Sequence, residues 1–190
     1  MHNTGMEQEQ KIIEGCISGR RKAQNELYSR YSGLFYGICL RYAGNRTEAQ
    51  DILQDSFVKI FTKISSFNKL GSFEGWMRRI VVNTALNYLR DHARERINLS
   101  LSEQYDLVAD EESSDELPEP LPAEMMIKLI QSLPEGYRMV FNLYVFEQNT
   151  HKQIAEILSI SENTSKTQLM RARLMLRKLI TEHSSVTVNS

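Results

Sequence analysis

The side chains best suited to chemistry lie between residues 150 and 178, where amide, hydroxyl and basic groups recur at helical spacing. Together with a methionine, these groups are the types that read base edges in the major groove of DNA. Basic side chains further along the segment would bind phosphates, which position a protein without specifying sequence. The outward-facing positions that we expect are Asn163, Lys166, Thr167, Met170 and Arg171, followed by the phosphate-binding positions Arg173, Arg177 and Lys178.

Apolar residues of the same segment place this polar face on the second of two helices. Thr150 can cap the first helix, and Ile160 would fill the core at the turn. The remaining inward positions keep three-and-four spacing: Ile154, Ala155, Leu158, Leu169 and Ala172. The pattern predicts a helix-turn-helix.

Two serines depart from the usual form of this motif. Ser159 stands where such turns commonly have glycine, and Ser165 stands where an apolar residue commonly packs. A serine at the second position can bond back to the preceding turn of its own helix. By periodicity alone, an ordinary helical hairpin with a solvated basic face fits as well.

A second polar group lies on a helix nearer the N-terminus. Asp51 and Asp55 stand four residues apart with Gln54 beside them, away from the apolar positions of the same helix. Like charges at this spacing mildly oppose an isolated helix. The row therefore favours, weakly, a basic partner, and an ordinary solvated face is the alternative.

A third group combines a polar loop with basic residues. Asn68, Lys69 and Ser72 lie between Phe67 and Phe73, and a helix with Arg78, Arg79 and Asn83 follows. Basic and amide groups beside a loop that can hold an unstacked base are the ingredients of single-strand capture. We interpret Phe67, Phe73 and Trp76 as core residues.

Helices must position all three groups, because no alternating pattern is long enough for a sheet. The predicted helices cover residues 7–17, 22–42, 48–64, 73–94, 124–132, 134–147, 150–158 and 161–182. Thr47 is the expected N-cap of the third helix, after a stop signal at Gly44 and Asn45. The sequence predicts an all-α fold of two small helical domains, residues 1–97 and 123–183, with a tail at 184–190.

The stretch between these domains is acidic. Residues 100–124 hold nine Asp and Glu side chains with no Lys or Arg, whereas the segments on either side carry a net positive charge. Three of the four prolines also fall here. A segment of this composition buries too little apolar surface to offset its ordering entropy, which predicts an acidic flexible linker at 98–122. A plain solvated tether and an acidic arm that enters a basic channel of a partner remain open.

Other classes of function lack their signatures. The four histidines show no ligand spacing, and no glycine-rich phosphate loop occurs, so we expect neither catalysis nor a metal or cofactor. Cys16 and Cys39 are isolated and predicted to be buried, reduced thiols. No apolar signal-peptide core and no membrane-spanning run occurs, so we expect a cytoplasmic protein without membrane insertion.

Residues 133–144, the predicted helix-turn-helix and Arg171-Ala-Arg173 resemble region 4 of the extracytoplasmic-function (ECF) sigma factors of bacterial RNA polymerase. In that family the second helix enters the major groove of the promoter's −35 element. The resemblance implies the −35 contacts Asn163, Lys166, Thr167, Met170, Arg171 and Arg173 in this sequence.

Residues 47–61 and 67–90 resemble region 2 of the same family. The resemblance implies that Asp51, Gln54 and Asp55 contact the clamp helices of the largest polymerase subunit. It also implies a loop and helix that melt the −10 element and hold a flipped base. The residues concerned would be Asn68, Lys69 and Ser72 at the pocket, with Arg78, Arg79 and Asn83 along the DNA.

Both motifs in this order, with a linker between them, imply an alternative sigma factor. The implied partners are core RNA polymerase, through its clamp helices and flap, promoter DNA and an anti-sigma factor. The rival interpretation is a free-standing helix-turn-helix regulator, which predicts operator binding without polymerase.

Overall fold

A computed structural model describes residues 3–97 and 121–187, and across these residues the only regular elements are helices. The all-α prediction is confirmed for this part of the chain. The α-helices are α1 (Asn3–Ile17), α2 (Arg21–Tyr42), α3 (Arg46–Lys63), α4 (Phe73–Ile97), α5 (Ala123–Ser132), α6 (Glu135–Val145), α7 (His151–Leu158) and α8 (Glu162–Thr187), and a 3₁₀ turn covers Ile64–Ser66. α4 and α8 each run a few residues beyond their predicted ends. Of the predicted linker, only residues 121 and 122 are described, and of the predicted tail, only 184–187.

The chain divides into two compact units, residues 1–90 (unit 1) and 91–190 (unit 2), with the division inside α4. In unit 1, α1 and α2 form a hairpin around Gly19, whose φ is +69°. The amide of Gly19 donates to the Cys16 carbonyl, and the amide of Arg20 donates to the Gly15 carbonyl. These two bonds are those of a Schellman motif, which needs the left-handed residue that glycine supplies most readily. A Cβ added at Gly15 would lie 2.5 Å from the Ala23 Cβ, so the two helices also approach closely through this glycine.

The start of α3 differs from the prediction. The N-cap is Asn45, whose side-chain oxygen accepts a hydrogen bond of 2.9 Å from the Glu48 amide, so Thr47 lies inside the first turn. The Glu48 carboxylate in turn accepts from the Gly44 amide at 2.8 Å and from the Asn45 side-chain amide at 3.0 Å. Thr47 was a plausible cap by residue type. Asn45 takes the role because the Asn45–Glu48 pair satisfies the backbone amides of both Glu48 and Gly44.

Large apolar side chains fill the core of unit 1. Leu27, Phe35 and Tyr42 of α2 are inaccessible to solvent, and Phe73 of α4 packs edge-on against Tyr31. Cys16 and Cys39 are buried free thiols, as predicted. Burial raises the pKa of the Cys39 thiol from 9.0 to about 12, and burial, with a smaller contribution from Glu26, raises that of Cys16. Both thiols therefore stay protonated at neutral pH.

Unit 2 has a smaller core. It is formed by α5, the start of α6 and the inward side of α8, with Leu129, Ile130, Leu133, Ala172 and Leu176 at its centre. Polar groups are buried among the apolar ones. Arg138 is 4% exposed and its Nη1 donates to the Gln131 carbonyl at 2.7 Å, which joins α6 to the end of α5. The fully buried Asn142 donates from its side-chain amide to the Arg138 carbonyl at 2.9 Å. α8 packs against α5, α6 and α7, and thus forms the central support of this unit.

Candidate interaction surfaces

The predicted helix-turn-helix is formed by α7 and α8. Thr150 caps α7 as predicted, in a capping box: its hydroxyl accepts from the Gln153 amide, and the Gln153 side chain accepts from the Thr150 amide. α7 ends at Leu158, and its C-cap Ser159 adopts the left-handed conformation with φ +56° and ψ +44°. The Ser161 hydroxyl then caps α8 by accepting from the Thr164 amide at 2.9 Å. The turn keeps the geometry that glycine commonly provides, although serine occupies the position.

Ser165 has a partner that its spacing did not indicate. It is fully buried on the inward side of α8, and its hydroxyl lies 2.9 Å from Nδ1 of His151. The bond joins the two helices of the motif. Instead of the hydrogen bond to the preceding turn of its own helix, the Ser165 hydroxyl bonds across the motif, because His151 at the start of α7 lies within reach. His151 also stacks on Tyr144 of α6, with ring centroids 4.8 Å apart.

The opposite side of α8 carries the predicted base-reading residues. Asn163, Lys166, Thr167 and Met170 are all exposed, and Met170 retains 48% of its accessible surface. The Thr167 hydroxyl donates to the Asn163 carbonyl at 2.9 Å, so it remains available chiefly as an acceptor and through its methyl group. The structure thus brings an amide, an ammonium, a hydroxyl and a thioether together on one exposed face near the start of a helix.

The two arginines of the motif lie in different surroundings. Arg171 is only half-exposed, and its Nη1 donates to the Tyr137 hydroxyl at 3.4 Å. Arg173 is exposed, and its guanidinium lies 5.6 Å from the ring centre of Tyr144. Arg173 also lines a concave surface of about 340 Å³, whose other lining residues are Tyr144, His151, Lys166, Leu169, Met170, Leu174 and Arg177. Sequence reasoning missed Tyr144 and His151, because they come from α6 and the start of α7 rather than from the periodic face of α8.

The acidic row predicted on α3 is exposed. Asp51, Gln54 and Asp55 all face solvent, whereas Ile52, Leu53 and Phe57 are buried. Val58 extends the row by one turn and is 64% exposed. Sequence reasoning did not include Val58, although its spacing of four from Gln54 places it on the same face. The row therefore ends in an exposed apolar side chain.

The loop at 67–72 has a defined backbone. The Asn68 side-chain oxygen accepts from the Leu70 amide at 3.2 Å, and Lys69 between them has a φ of +61°. The Ser72 hydroxyl accepts from the Gly75 amide at 3.1 Å and so caps α4. Asn68, Lys69 and Ser72 are exposed, as their predicted role requires, but the hydrogen bonds show that Asn68 and Ser72 also shape the loop.

Aromatic rings lie under this loop. Phe67, Phe73 and Trp76 contact one another with centroid distances of 5.1 to 5.8 Å. Phe73 is 2% exposed, as predicted for a core residue, whereas Phe67 and Trp76 are half-buried at its edge. On α4, Arg79 and Asn83 are exposed four residues apart, and Arg78 is half-exposed. The loop and the polar side of α4 are therefore continuous in sequence and both accessible.

Within residues 3–97 and 121–187, no group of three or more His, Cys, Asp and Glu side chains is placed to hold a metal ion. No helix in the same residues is both long enough and apolar enough to cross a membrane.

Comparisons with known proteins agree with this architecture. Residues 27–95 match the family model for sigma-70 region 2, and residues 123–176 match that for sigma-70 region 4. The chain is 32% identical over 182 residues to the ECF RNA polymerase sigma-E factor of Haemophilus influenzae, a similarity that covers 90% of this chain and 95% of that protein. It is 30% identical over 169 residues to the ECF RNA polymerase sigma factor SigE of Mycolicibacterium smegmatis, covering 87% of this chain and 65% of the other.

Among solved structures, the fold is similar to that of the sigma factor RpoE from Bartonella quintana, determined with the anti-sigma factor NepR. The TM-score is 0.52 at 19% identity, and the similarity covers 83% of this chain and 96% of the other. Since two separate region models match in the expected order and the 32% identical Haemophilus influenzae relative aligns along 95% of its length, this chain belongs to the ECF family of RNA polymerase sigma factors.

Proposed function

We propose that the protein works as an alternative sigma factor that docks on core RNA polymerase through α3, reads the −35 element with α8 and opens the −10 element with the 67–72 loop and α4. The observation that carries this proposal is the exposed face of α8. Its side chains form a mixed row at the start of the second helix of a helix-turn-helix, which is where such motifs contact base edges.

The division of work on α8 follows from side-chain chemistry. Asn163 and Lys166 can each bond to acceptors on base edges, and Met170 offers an apolar surface to a thymine methyl group. Arg173 and Arg177 line the neighbouring concave surface with Tyr144, where their charge suits a phosphate. Arg171, which bonds to Tyr137, would hold α8 in place or reach DNA after releasing that bond.

The α3 row suits a protein surface rather than DNA. Asp51 and Asp55 present two carboxylates that DNA phosphates would repel, and Val58 adds apolar surface one turn further on. A basic helix pair with an apolar contact would complement this face. We therefore assign α3 to the clamp helices of the largest polymerase subunit.

Opening of the −10 element needs no covalent chemistry. Unstacking a base costs a few kcal/mol, and contacts made only to the open strand lower that cost. Asn68 and Lys69 lie on an exposed loop with polar groups available to an extruded base, and Arg79 and Asn83 continue along α4. A protein inhibitor of the anti-sigma class is the further partner that we propose, because a fold of this type has been determined with one.

The test is transcription in vitro with core polymerase of the source organism and the promoter of the gene that encodes this chain. Asp51→Arg should abolish binding to core polymerase, whereas Glu14→Arg, an equal charge reversal at an exposed position of α1, should not. Lys166→Ala should leave core binding intact and lower transcript yield roughly tenfold, as expected for one lost base contact. Lys128→Ala, at an exposed position of α5, is the matched control.

The two contact surfaces fail in different ways, which separates them. A wild-type chain that does not bind core polymerase would contradict the proposal and favour a free-standing DNA-binding regulator. Core binding that survives Asp51→Arg would remove the assignment of α3 while leaving that of α8.

A further inference from the structure

Leu70 is the most exposed of the large apolar side chains that the structure describes, with 88% of its surface accessible to solvent. Single exposed leucines are common on proteins, so exposure alone indicates nothing. The backbone around Leu70 supplies a second observation, because it fixes the residue at the tip of the 67–72 loop with its side chain away from the core.

Contacts hold the loop at both ends and at its tip. The Phe67 amide donates to the Ile64 carbonyl at 3.2 Å, and the Phe67 ring packs on Phe73 and Trp76. At the tip, the Asn68 side chain accepts from the Leu70 amide while Lys69 takes a left-handed conformation. At the other end, Ser72 caps α4. A lysine in the left-handed conformation costs free energy, so the turn that presents Leu70 must be held in place by the contacts around it.

The chemical surroundings of Leu70 suit nucleic acid. Lys69 is exposed next to it, Asn68 is exposed on the other side of the turn, and Arg79 is exposed on the helix that follows. Side chains of this kind hold phosphates and base edges by hydrogen bonds, which the Leu70 side chain between them cannot form. Proteins that distort DNA often insert an apolar side chain at the base step they unstack.

Resting on the proposed function, we infer that Leu70 is the wedge of the −10 opening reaction. When a base leaves the duplex, the neighbouring base pair loses its stacking partner and exposes an apolar face to water. Leu70 covers that face. Leucine has no hydrogen-bonding group, so this contact favours opening whichever base pair it meets, and Asn68 and Lys69 are left to distinguish the bases.

The test compares two forms of one promoter, located by mapping transcripts that depend on this chain in cells. One form is an ordinary duplex, and the other carries a mismatched −10 segment that is already open. Strand opening by the holoenzyme is followed by permanganate reactivity of the thymines. Leu70→Ala should slow opening of the duplex roughly tenfold and leave the mismatched form at about the wild-type rate, and Leu70→Met should restore most of the loss. Ile17→Ala, at another exposed apolar side chain, is the matched control and should open the duplex as the wild type does.

Each possible result bears either on the role of Leu70 or on the proposed function on which that role rests. Equal opening rates for Leu70→Ala and wild type on the duplex would overturn the wedge. An equal loss on both templates would also overturn it, since it would indicate a contact to bound DNA rather than a part in opening. If the wild-type chain binds core polymerase but the resulting holoenzyme opens no duplex, the proposed function is wrong, and the inference about Leu70 with it.

Discussion

The two helical units are stabilised by different kinds of contact. Unit 1 is held by large apolar and aromatic side chains and by helices in close contact at Gly15, and its fully buried Ser56 bonds within its own helix, to the Ile52 carbonyl. Unit 2 has a smaller apolar core, and its buried Arg138 and Ser165 bond to neighbouring helices. The difference teaches that unit 2 depends on individual polar bonds, whereas unit 1 depends on fit. A substitution that removes a polar bond of unit 2 should therefore lower the stability of unit 2 only, and one that disturbs the packing of unit 1 should lower the stability of unit 1 only.

The largest effect should come from Arg138→Met, which replaces the buried guanidinium by an apolar side chain of similar length. We expect unit 2 to lose about 2 kcal/mol of unfolding free energy, since the Gln131 carbonyl loses its charged donor. Urea unfolding followed by far-UV circular dichroism reports both units. Fluorescence of Trp76, the only tryptophan in the chain, reports unit 1.

The fluorescence transition should stay in place while the dichroism transition broadens to lower urea. Lys128→Met, on the exposed side of α5, should change neither. Equal shifts of both transitions would contradict the independence of the two units.

A smaller effect on the opposite unit is expected from Gly15→Ala. The new Cβ would meet the Ala23 Cβ at 2.5 Å, so α1 and α2 must separate, at a cost of about 1 to 2 kcal/mol. Here the Trp76 fluorescence transition should move. Ala23→Gly removes the opposing carbon, so Gly15→Ala introduced into that background should cost nothing. A cost that persists in the double variant would show that close approach is not the reason for glycine at this position.

The smallest effect should be a gain. Ser159 and Gly19 both end a helix in the left-handed conformation, but only Gly19 does so without a side-chain penalty. Ser159→Gly should stabilise unit 2 by roughly 0.5 to 1 kcal/mol. Ser161→Ala, two residues away, should instead destabilise it by about 1 kcal/mol, because it removes the cap of α8. Thermal unfolding that shows the same sign for both variants would contradict this account of the turn.

Much of this architecture was predictable because most of the chain is regular helix. Periodicity identified the faces of α3 and α8 correctly, since residues three and four apart share a face whatever they touch. Periodicity does not identify the partner of a side chain. The Arg171–Tyr137 and Ser165–His151 contacts join different helices, and neither follows from spacing.

The loop at 67–72 was the least predictable part of the candidate surfaces. Its shape depends on one side-chain bond from Asn68 and one left-handed lysine, features that leave no periodic signal. Asn45 as the cap of α3 shows the same limit, because Thr47 has a suitable side chain and only the contact with Glu48 decides between them. The roles assigned to individual residues of all three surfaces remain predictions.

The two buried thiols have a practical consequence. Cys16 and Cys39 are the only cysteines, both are shielded from solvent, and burial raises the pKa of each, so neither presents a thiolate to an alkylating reagent at neutral pH. A cysteine introduced at an exposed position outside the proposed contact surfaces, such as Glu14 in unit 1 or Lys128 in unit 2, would therefore be the one fast-reacting nucleophile of the folded chain. A maleimide dye or spin label could be attached there without first replacing the native residues, and the movement of either unit on polymerase and promoter could be followed by spectroscopy.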